Sequence, residues 1–266
     1  MKMTAMNVKQ WWMAVALGTL MAGSVAFAAA ASSQASASGP GDTQIQAELA
    51  KALNGGHFKN VHVAVQNGVA TLTGTVPLYG YKEEAYQKVH HKDKHLAVRN
   101  EIEVVSTSEM SDAELRDKLA RKITYDRVGY GTTTFNAVTI GVQNGVVTLG
   151  GNVYWPPDMD AAVADAEYFP GVKDVINNIQ VDPVSPMDDQ TRMAVARTVY
   201  GFPSLNKYAI DPAKPIRITV INGNVTLSGV VDSQSDKDVA GIQANSVPNV
   251  FKVTNNLQVA GQREKN

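Results

Sequence analysis

The chain has 266 residues, of which 24 are basic and 25 acidic, and it contains no cysteine. These numbers exclude a disulfide-stabilised scaffold and a lipid anchor on cysteine, and a chain without a basic excess is not expected to bind nucleic acid. The composition, with 44% hydrophobic and 18% charged residues, is that of an ordinary globular protein.

The N-terminus has the pattern of a secretory signal peptide, which we assign to residues 1–28. Lys2 and Lys9 flank the start of an apolar run that ends in the small-x-small sequence Ala-Phe-Ala. An uncleaved membrane anchor is the alternative. Cleavage removes two of the 24 basic residues and leaves 22 against 25 acidic ones, a net charge near −3. We therefore expect a periplasmic protein, whose fold follows a flexible linker at 29–41 that is rich in Ser, Ala and Gly.

An internal repeat dominates the rest of the chain. The sequence Asn-Gly-Val-Ala-Thr-Leu-Thr-Gly at 67–74 recurs in similar form at 144–151 and at 222–229, with offsets of 77 and 78 residues. Alternating apolar residues before each copy, and a Val-x-Asn-x-Ile/Leu-x-Val pattern after it, keep the same spacing. Because the core pattern and its flanks keep the same spacing in all three copies, the sequence predicts three copies of one structural unit.

Each unit reads as helix, strand, strand, helix, strand. Apolar alternation on both sides of Asn-Gly predicts a β-hairpin, because a type I′ turn needs positive φ at both central residues. A glycine within each second strand indicates close approach by another part of the backbone, for which a packed helix is the candidate. The structural glycines of the pattern are Gly68, Gly74, Gly145, Gly151, Gly223 and Gly229.

The first helix of each unit is predicted from apolar residues four apart, a pattern that is weakest at 191–200 in the third unit. In the first two units these residues are Ile45, Leu49, Leu53, Leu115, Leu119 and Ile123. Ser111 and Glu114 form a capping box ahead of the second of these helices. The second helix of each unit carries small residues four apart, which allow it to lie close to a sheet.

These patterns predict an α+β fold class. We expect three tandem small αββαβ units, each a three-stranded mixed sheet with two helices packed on one face. The predicted domain boundaries are 42–106, 110–182 and 187–262.

The repeat resembles the BON domain, a module of bacterial osmotic-stress and nodulation proteins. The resemblance rests on the (V/I)-x-V-x-x-x-G-x-(V/A)-T-L-x-G-x-V core and the trailing Pro-Gly-Val-x-x-Val-x-Asn pattern. Both are clearest in the second unit, with Gly145, Thr148, Leu149 and Gly151 in the core and Pro-Gly-Val at 170–172. The first unit departs from the pattern, since Asp-Lys-His at 93–95 replaces Pro-Gly-Val.

The resemblance implies an exported protein linked to osmotic or envelope stress. It also implies binding of phospholipid surfaces or help to client proteins in the periplasm. The family brings no catalytic residues, and no cysteine nucleophile or repeated carboxylate pair is present in the sequence. We therefore predict no enzymatic activity, no cofactor and no bound metal.

Aromatic residues after the second strand are the candidate binding residues for a lipid or protein partner. They are Tyr79 and Tyr81 in the first unit and Tyr154 and Trp155 in the second, while the third unit has the polar Asp-Ser-Gln-Ser at 232–235. A Trp-Pro-Pro loop suits insertion at a lipid interface. The favoured alternative is packing between units, with Trp155 covering a neighbouring unit.

All five histidines lie in the first unit, and His91 and His95 are four residues apart. This spacing allows two metal ligands on one helical face, but the sequence offers no clear third ligand. A solvated helix end rich in lysine is therefore the preferred interpretation, with His95 partly packed because it aligns with Val172 and Val250.

The leading functional hypothesis is an exported BON-type protein that contacts phospholipid surfaces or envelope proteins through the loops of its units. A chaperone-like binder of periplasmic client proteins, or an accessory module that docks a separate enzyme, are the alternatives.

Overall fold

The computed structural model describes residues 40–261, except 107, 109, 127–131 and 212–213. The predicted signal peptide at 1–28 and most of the predicted linker at 29–41 lie outside the described residues. Within the described part of the chain, no helix combines the length and the apolar character needed to span a bilayer.

Three modules of the same order follow one another along the chain. Module 1 contains α1 (Pro40–Ala52), β1 (Val61–Gln66), β2 (Val69–Val76), α2 (Tyr79–Lys92) and β3 (Ala97–Val104). Module 2 contains α3 (Asp112–Asp126), α4 (Thr132–Phe135), β4 (Ala137–Gln143), β5 (Val146–Val153), α5 (Pro156–Glu167), β6 (Asp174–Asn177) and β7 (Gln180–Val181). Module 3 contains α6 (Pro186–Gly201), β8 (Arg217–Ile221), β9 (Asn224–Val231), α7 (Gln234–Asn245) and β10 (Lys252–Val259).

In every module the second strand is the centre of the sheet. It pairs antiparallel with the first strand through the hairpin and parallel with the last strand through the helical crossover. Module 2 differs because its last strand is divided into β6 and β7, both of which pair with β5. The predicted α+β class with three mixed sheets is confirmed. The additional short helix α4 and the division of the last strand were not predicted.

The Asn-Gly turns have the predicted geometry. The φ angles are 51° and 73° at Asn67 and Gly68, 54° and 79° at Asn144 and Gly145, and 51° and 71° at Asn222 and Gly223. Positive φ at both positions is the signature of a type I′ turn. Each turn is also held by an aspartate at the start of the preceding helix, whose carboxylate accepts hydrogen bonds from the turn amides. These aspartates are Asp42, Asp112 and Asp188.

The strand glycines are required by close approach of the first strand, and the expectation of a packed helix was wrong. A Cβ added to Gly74 would lie 1.8 Å from the carbonyl oxygen of Asn60, just before β1. The corresponding distance is 1.9 Å to Ala137 for Gly151 and 2.5 Å to Pro215 for Gly229. Their φ values of 113°, 89° and 128° also disfavour any L side chain.

One hydrophobic core fills the space between the helices and the sheet in each module. The predicted residues of the first helices occupy it, with Leu49, Leu53, Leu115 and Leu119 each at most 4% exposed. The polar exception is α6, where Arg192 faces the interior and is 1% exposed. The apolar pattern of the third helix is weakest because Thr191, which is 4% exposed, stands at the position of Leu115 in α3.

Candidate binding site at the module junctions

The loop after the second strand lies at a module junction in modules 1 and 2. Tyr79, the first residue of α2, is 9% exposed and packs in the hydrophobic core of module 2. Burial raises the pKa of its hydroxyl, and the nearby carboxylates of Glu83 and Asp174 raise it further. Tyr79 is therefore a neutral anchor between modules 1 and 2.

Tyr81 joins the same junction through ring contacts. Its ring stacks on His57 with centroids 3.7 Å apart and meets the edge of Tyr168 of module 2 at 5.6 Å. Tyr168 also covers Gly80, since a Cβ on that glycine would lie 2.7 Å from the Tyr168 ring. The absence of a side chain at Gly80 therefore allows the two helices of the neighbouring modules to approach here.

The junction between modules 2 and 3 is built around a buried cation. The guanidinium of Arg192 lies 4.4 Å from the ring centroid of Tyr154. It also binds the carboxylates of Asp182 at 3.2 Å and Asp189 at 2.6 Å, and donates to the carbonyl oxygen of Val220 at 3.0 Å. Residues of both modules thus share one charge network.

Asp182 completes this network from the end of module 2. It is 4% exposed and accepts a hydrogen bond from Asn152 at 3.2 Å in addition to its contact with Arg192. Burial raises the pKa of Asp182, although Arg192 and Asn152 act in the opposite direction. The network therefore depends on Arg192, because removal of the cation leaves a buried carboxyl with only one donor.

Trp155 does not pack between modules as expected; its side chain is 57% exposed. It precedes α5, with Pro156 and Pro157 exposed beside it, and its ring centroid lies 5.4 Å from that of Tyr154. The backbone amide of Tyr154 donates to the side chain of Asn136 at 2.8 Å. The junctions therefore use three of the four predicted aromatic residues in packing, namely Tyr79, Tyr81 and Tyr154. Trp155 is exposed to solvent on a loop that the contacts of Tyr154 hold in place.

The equivalent loop of module 3 is polar. Lys207 binds Asp232 at 2.8 Å and Asp236 at 3.0 Å, and the Tyr208 hydroxyl donates to Asp236 at 2.7 Å. The hydrogen bond from Lys207 lowers the pKa of Asp232. Aromatic residues thus occur in this loop at the two described module junctions, and a surface ion cluster occurs in the loop of module 3.

His91 and His95 do not form a metal site. Helix α2 ends at Lys92, so the two residues do not share a helical face, and both are exposed. The carbonyl oxygen of the turn glycine accepts a hydrogen bond from the amide of Ala97 in module 1 and from the amides of Lys173 and Phe251 in modules 2 and 3. The residue before each amide is therefore equivalent, so Leu96, and not His95, matches Val172 and Val250. Among the described residues, no group of three metal-ligating side chains comes together.

The model of the BON domain family matches three segments, residues 41–106, 111–183 and 204–261. The chain belongs to the BON domain family. BON domain proteins are generally non-catalytic and are typically associated with the periplasm or the cell envelope and with osmotic stress. The family assignment thus agrees with the three repeated modules of the structure.

Comparison with characterised proteins adds little beyond the family. No curated protein sequence matches the chain. Among solved structures, the C-terminal domain of CdsD, described as the structural protein of the type III secretion system of Chlamydia trachomatis, is 15% identical. The match covers 76% of this chain and 90% of that one, with a TM-score of 0.22. A second CdsD structure from Chlamydia trachomatis is 13% identical over 82% and 91%, also with a TM-score of 0.22.

Proposed function

We propose that the protein is an exported periplasmic binding protein that docks on phospholipid surfaces through Trp155 and the two prolines that follow it. The observation that carries this proposal is the exposure of Trp155 beside three other loop aromatics that are used in packing. Tryptophan is enriched at membrane interfaces, because its ring is apolar and its N–H can reach water or head groups.

The surroundings of Trp155 hold the loop in place for such contact. Pro156 begins α5 with a restricted φ. The ring of Tyr154 contacts the guanidinium of Arg192, and its backbone amide donates a hydrogen bond to Asn136. Because little flexibility is lost on binding, insertion of one ring costs less conformational entropy than insertion of a mobile loop. The net charge near −3 predicts that anionic lipid gives no electrostatic advantage.

Fluorescence of Trp155 tests the proposal directly. Once the predicted signal peptide with Trp11 and Trp12 is removed, Trp155 is the remaining tryptophan. We expect a blue shift on titration with phosphatidylethanolamine or phosphatidylcholine vesicles, of similar size with added phosphatidylglycerol. An unchanged emission spectrum with all of these vesicles would contradict the proposal.

Co-sedimentation with the same vesicles supplies the control. Trp155→Ser is expected to abolish sedimentation with lipid. Phe251→Ser is the matched control, since Phe251 is an aromatic residue of module 3 with 80% exposure and is far from Trp155 in sequence. If both variants lost binding equally, the loop would not be the specific docking element.

A second candidate is the binding of unfolded client proteins, which the exposed apolar side chains of module 3 favour. Phe251, Ile242 and Ile210 are 80%, 65% and 76% exposed. Here Phe251→Ser, and not Trp155→Ser, is expected to weaken the suppression of aggregation of a denatured test protein. The two variants therefore separate lipid docking from client binding.

A further inference from the structure

Arg217 occupies an unusual position at the junction of modules 2 and 3. It is the first residue of β8, and the buried neighbours Ile216 and Ile218 direct it to the face of the sheet opposite α6 and α7. Edge strand β4 of module 2 lies against this strand. A groove of about 240 Å³ is bounded by the start of β4, by Arg217 and by the helix-free faces of β9 and β10.

Arg217 is only partly exposed, yet it lacks the partners that Arg192 has. Among the described residues, its guanidinium has no hydrogen-bond acceptor and no carboxylate within salt-bridge distance. Burial lowers the pKa of Arg217, and the Tyr200 hydroxyl acts in the opposite direction. A desolvated cation without a counter-charge is unfavourable, so an anion in contact with it would recover that free energy.

The groups around Arg217 favour an anion over other ligands. A second groove of about 300 Å³ continues from the first, since Arg217, Gly229 and Val230 line both, and it adds Lys214. The acidic residue in this groove, Asp232, is bound to Lys207 at 2.8 Å. The neutral hydrogen-bonding side chains of the first groove are Thr139, Ser228, Asn256 and Gln258.

Acidic residues also lie on the opposite side of Arg217. There it borders a smaller cavity of about 100 Å³ that includes Asp158 and Asp165. Asp165 is bound to Lys122 at 2.9 Å. Asp165 is therefore neutralised by Lys122, and the positive side of the junction is the pair of grooves above the module 3 sheet.

We propose that this pair of grooves binds an oxyanion of the phosphate class, with Arg217 as the principal ligand and Lys214 as a second cation. The planar guanidinium offers parallel N–H donors that match two phosphate oxygens, and the threonine, serine and amide side chains supply neutral donors. The site joins residues of two modules, so occupancy would also strengthen their junction. It does not depend on the lipid-docking role of Trp155, because a dissolved phosphate ion requires no bilayer.

Titration with inorganic phosphate, followed by amide chemical shifts and compared with chloride at equal ionic strength, tests this site. We expect saturable shifts confined to the grooves, at residues such as Thr139, Gly229 and Asn256. Arg217→Gln is expected to weaken binding by about tenfold or more, which corresponds to loss of one charge-assisted hydrogen bond or a pair of them. Arg217→Lys keeps the positive charge but lacks the parallel N–H donors of the guanidinium, so its affinity for phosphate is expected to be intermediate.

Arg197→Gln is the matched control, since this exposed arginine of α6 removes the same charge away from the grooves. Circular dichroism and the thermal midpoint of each variant establish that it is folded. Absence of saturable shifts in the wild type, or equal affinity of folded Arg217→Gln and Arg197→Gln, would overturn the proposal. Trp155→Ser is expected to bind phosphate normally, so this result stands apart from the vesicle experiment.

Two further ligands distinguish the source of the anion. Glycerol phosphate bound more tightly than inorganic phosphate, together with loss of phosphatidylglycerol vesicle binding in Arg217→Gln, would assign the grooves to a lipid head group. Inorganic phosphate bound at least as tightly as glycerol phosphate, with no effect of Arg217→Gln on vesicles, would assign them to a free anion. Either result supports an oxyanion site.

Discussion

The two module junctions use the same loop position but different physical interactions. Between modules 1 and 2, Tyr79 carries an apolar ring into the core of the next module. Between modules 2 and 3, Tyr154 remains on its own module and receives Arg192 from the next one, which is also held by Asp182. A repeat can therefore keep its fold while each junction acquires its own chemistry, because the fold constrains the core residues and leaves the loop residues free.

This difference predicts that the two junctions lose different amounts of stability when a side chain is removed. Loss of a buried ring removes favourable packing and leaves a cavity. Loss of one partner of a buried ion network leaves a buried charge without a counter-charge. The free energy lost in this way exceeds the stabilisation that the intact network provides relative to apolar residues. The junction between modules 2 and 3 is therefore expected to be the more sensitive to a single substitution and the more tolerant of a paired one.

The largest effect is expected for Arg192→Ala. It leaves the Asp182 carboxylate buried without its cation and the carbonyl of Val220 without its donor, so we expect the free energy of unfolding to fall by about 3–5 kcal/mol. Urea unfolding measures this loss. Arg116→Ala is the control, because Arg116 occupies the equivalent helix position in module 2, is exposed, and should change stability by less than about 0.5 kcal/mol.

A paired substitution sharpens the same test. In Asp182→Asn with Arg192→Met, the amide can still accept from Asn152 and no charge is buried, so stability should return to within about 1–2 kcal/mol of the wild type. If the double variant were as unstable as Arg192→Ala, packing of the arginine, and not its charge, would be the dominant contribution.

The second largest effect is expected for Tyr79→Ala at the other junction. Removal of this ring from the module 2 core should lower the free energy of unfolding by about 3 kcal/mol. Calorimetry should also show that the unfolding of module 1 separates from that of modules 2 and 3. Tyr79→Phe keeps the ring and is expected to cost about 1 kcal/mol. Equal losses for the two variants would mean that the hydroxyl contacts hold this junction.

The repeated core could be predicted from the sequence, and the junctions could not. Asn-Gly at 67–68 and Gly74 have local conformational requirements that any copy of the module must meet, so their roles follow from residue type and spacing. The partner of Gly74 is a carbonyl before β1, and this depends on how the hairpin twists, which periodicity does not report.

The candidate site was predicted only in part for the same reason. Tyr79, Tyr81, Tyr154 and Trp155 were recognised as a set because they are aromatic residues in equivalent loops. Their division into three packed rings and one exposed ring depends on contacts with the neighbouring module. Arg192 was missed because it stands beside the apolar stripe of its helix, at the position where Arg116 of module 2 is exposed. Its burial depends on contacts with Asp182 and Tyr154 of the neighbouring module, for which helical periodicity gives no signal.

The smallest effect concerns the module 3 loop, whose ion cluster lies outside the two described module junctions. The pKa of Asp232 lies below its ordinary value of 3.8, primarily because of the hydrogen bond from Lys207. Asp236 is also lowered: burial acts to raise its pKa, but hydrogen bonds from Tyr208 and Lys207 outweigh it. A carboxylate with a depressed pKa in the folded state stabilises the fold above its unfolded pKa, and this contribution is lost as the pH falls through the folded value.

Lys207→Met is therefore expected to leave stability nearly unchanged under acid conditions, where both aspartates are protonated, and to lower it slightly at neutral pH. Urea unfolding of the wild type and the variant across this pH range measures the difference, which should close as the pH falls below the ordinary aspartate value of 3.8. Lys237→Met, on α7 of the same module, is the control for loss of a lysine. A difference that persisted unchanged at low pH would show that Lys207 stabilises the loop by packing on Tyr208 and not through its ion pairs with Asp232 and Asp236.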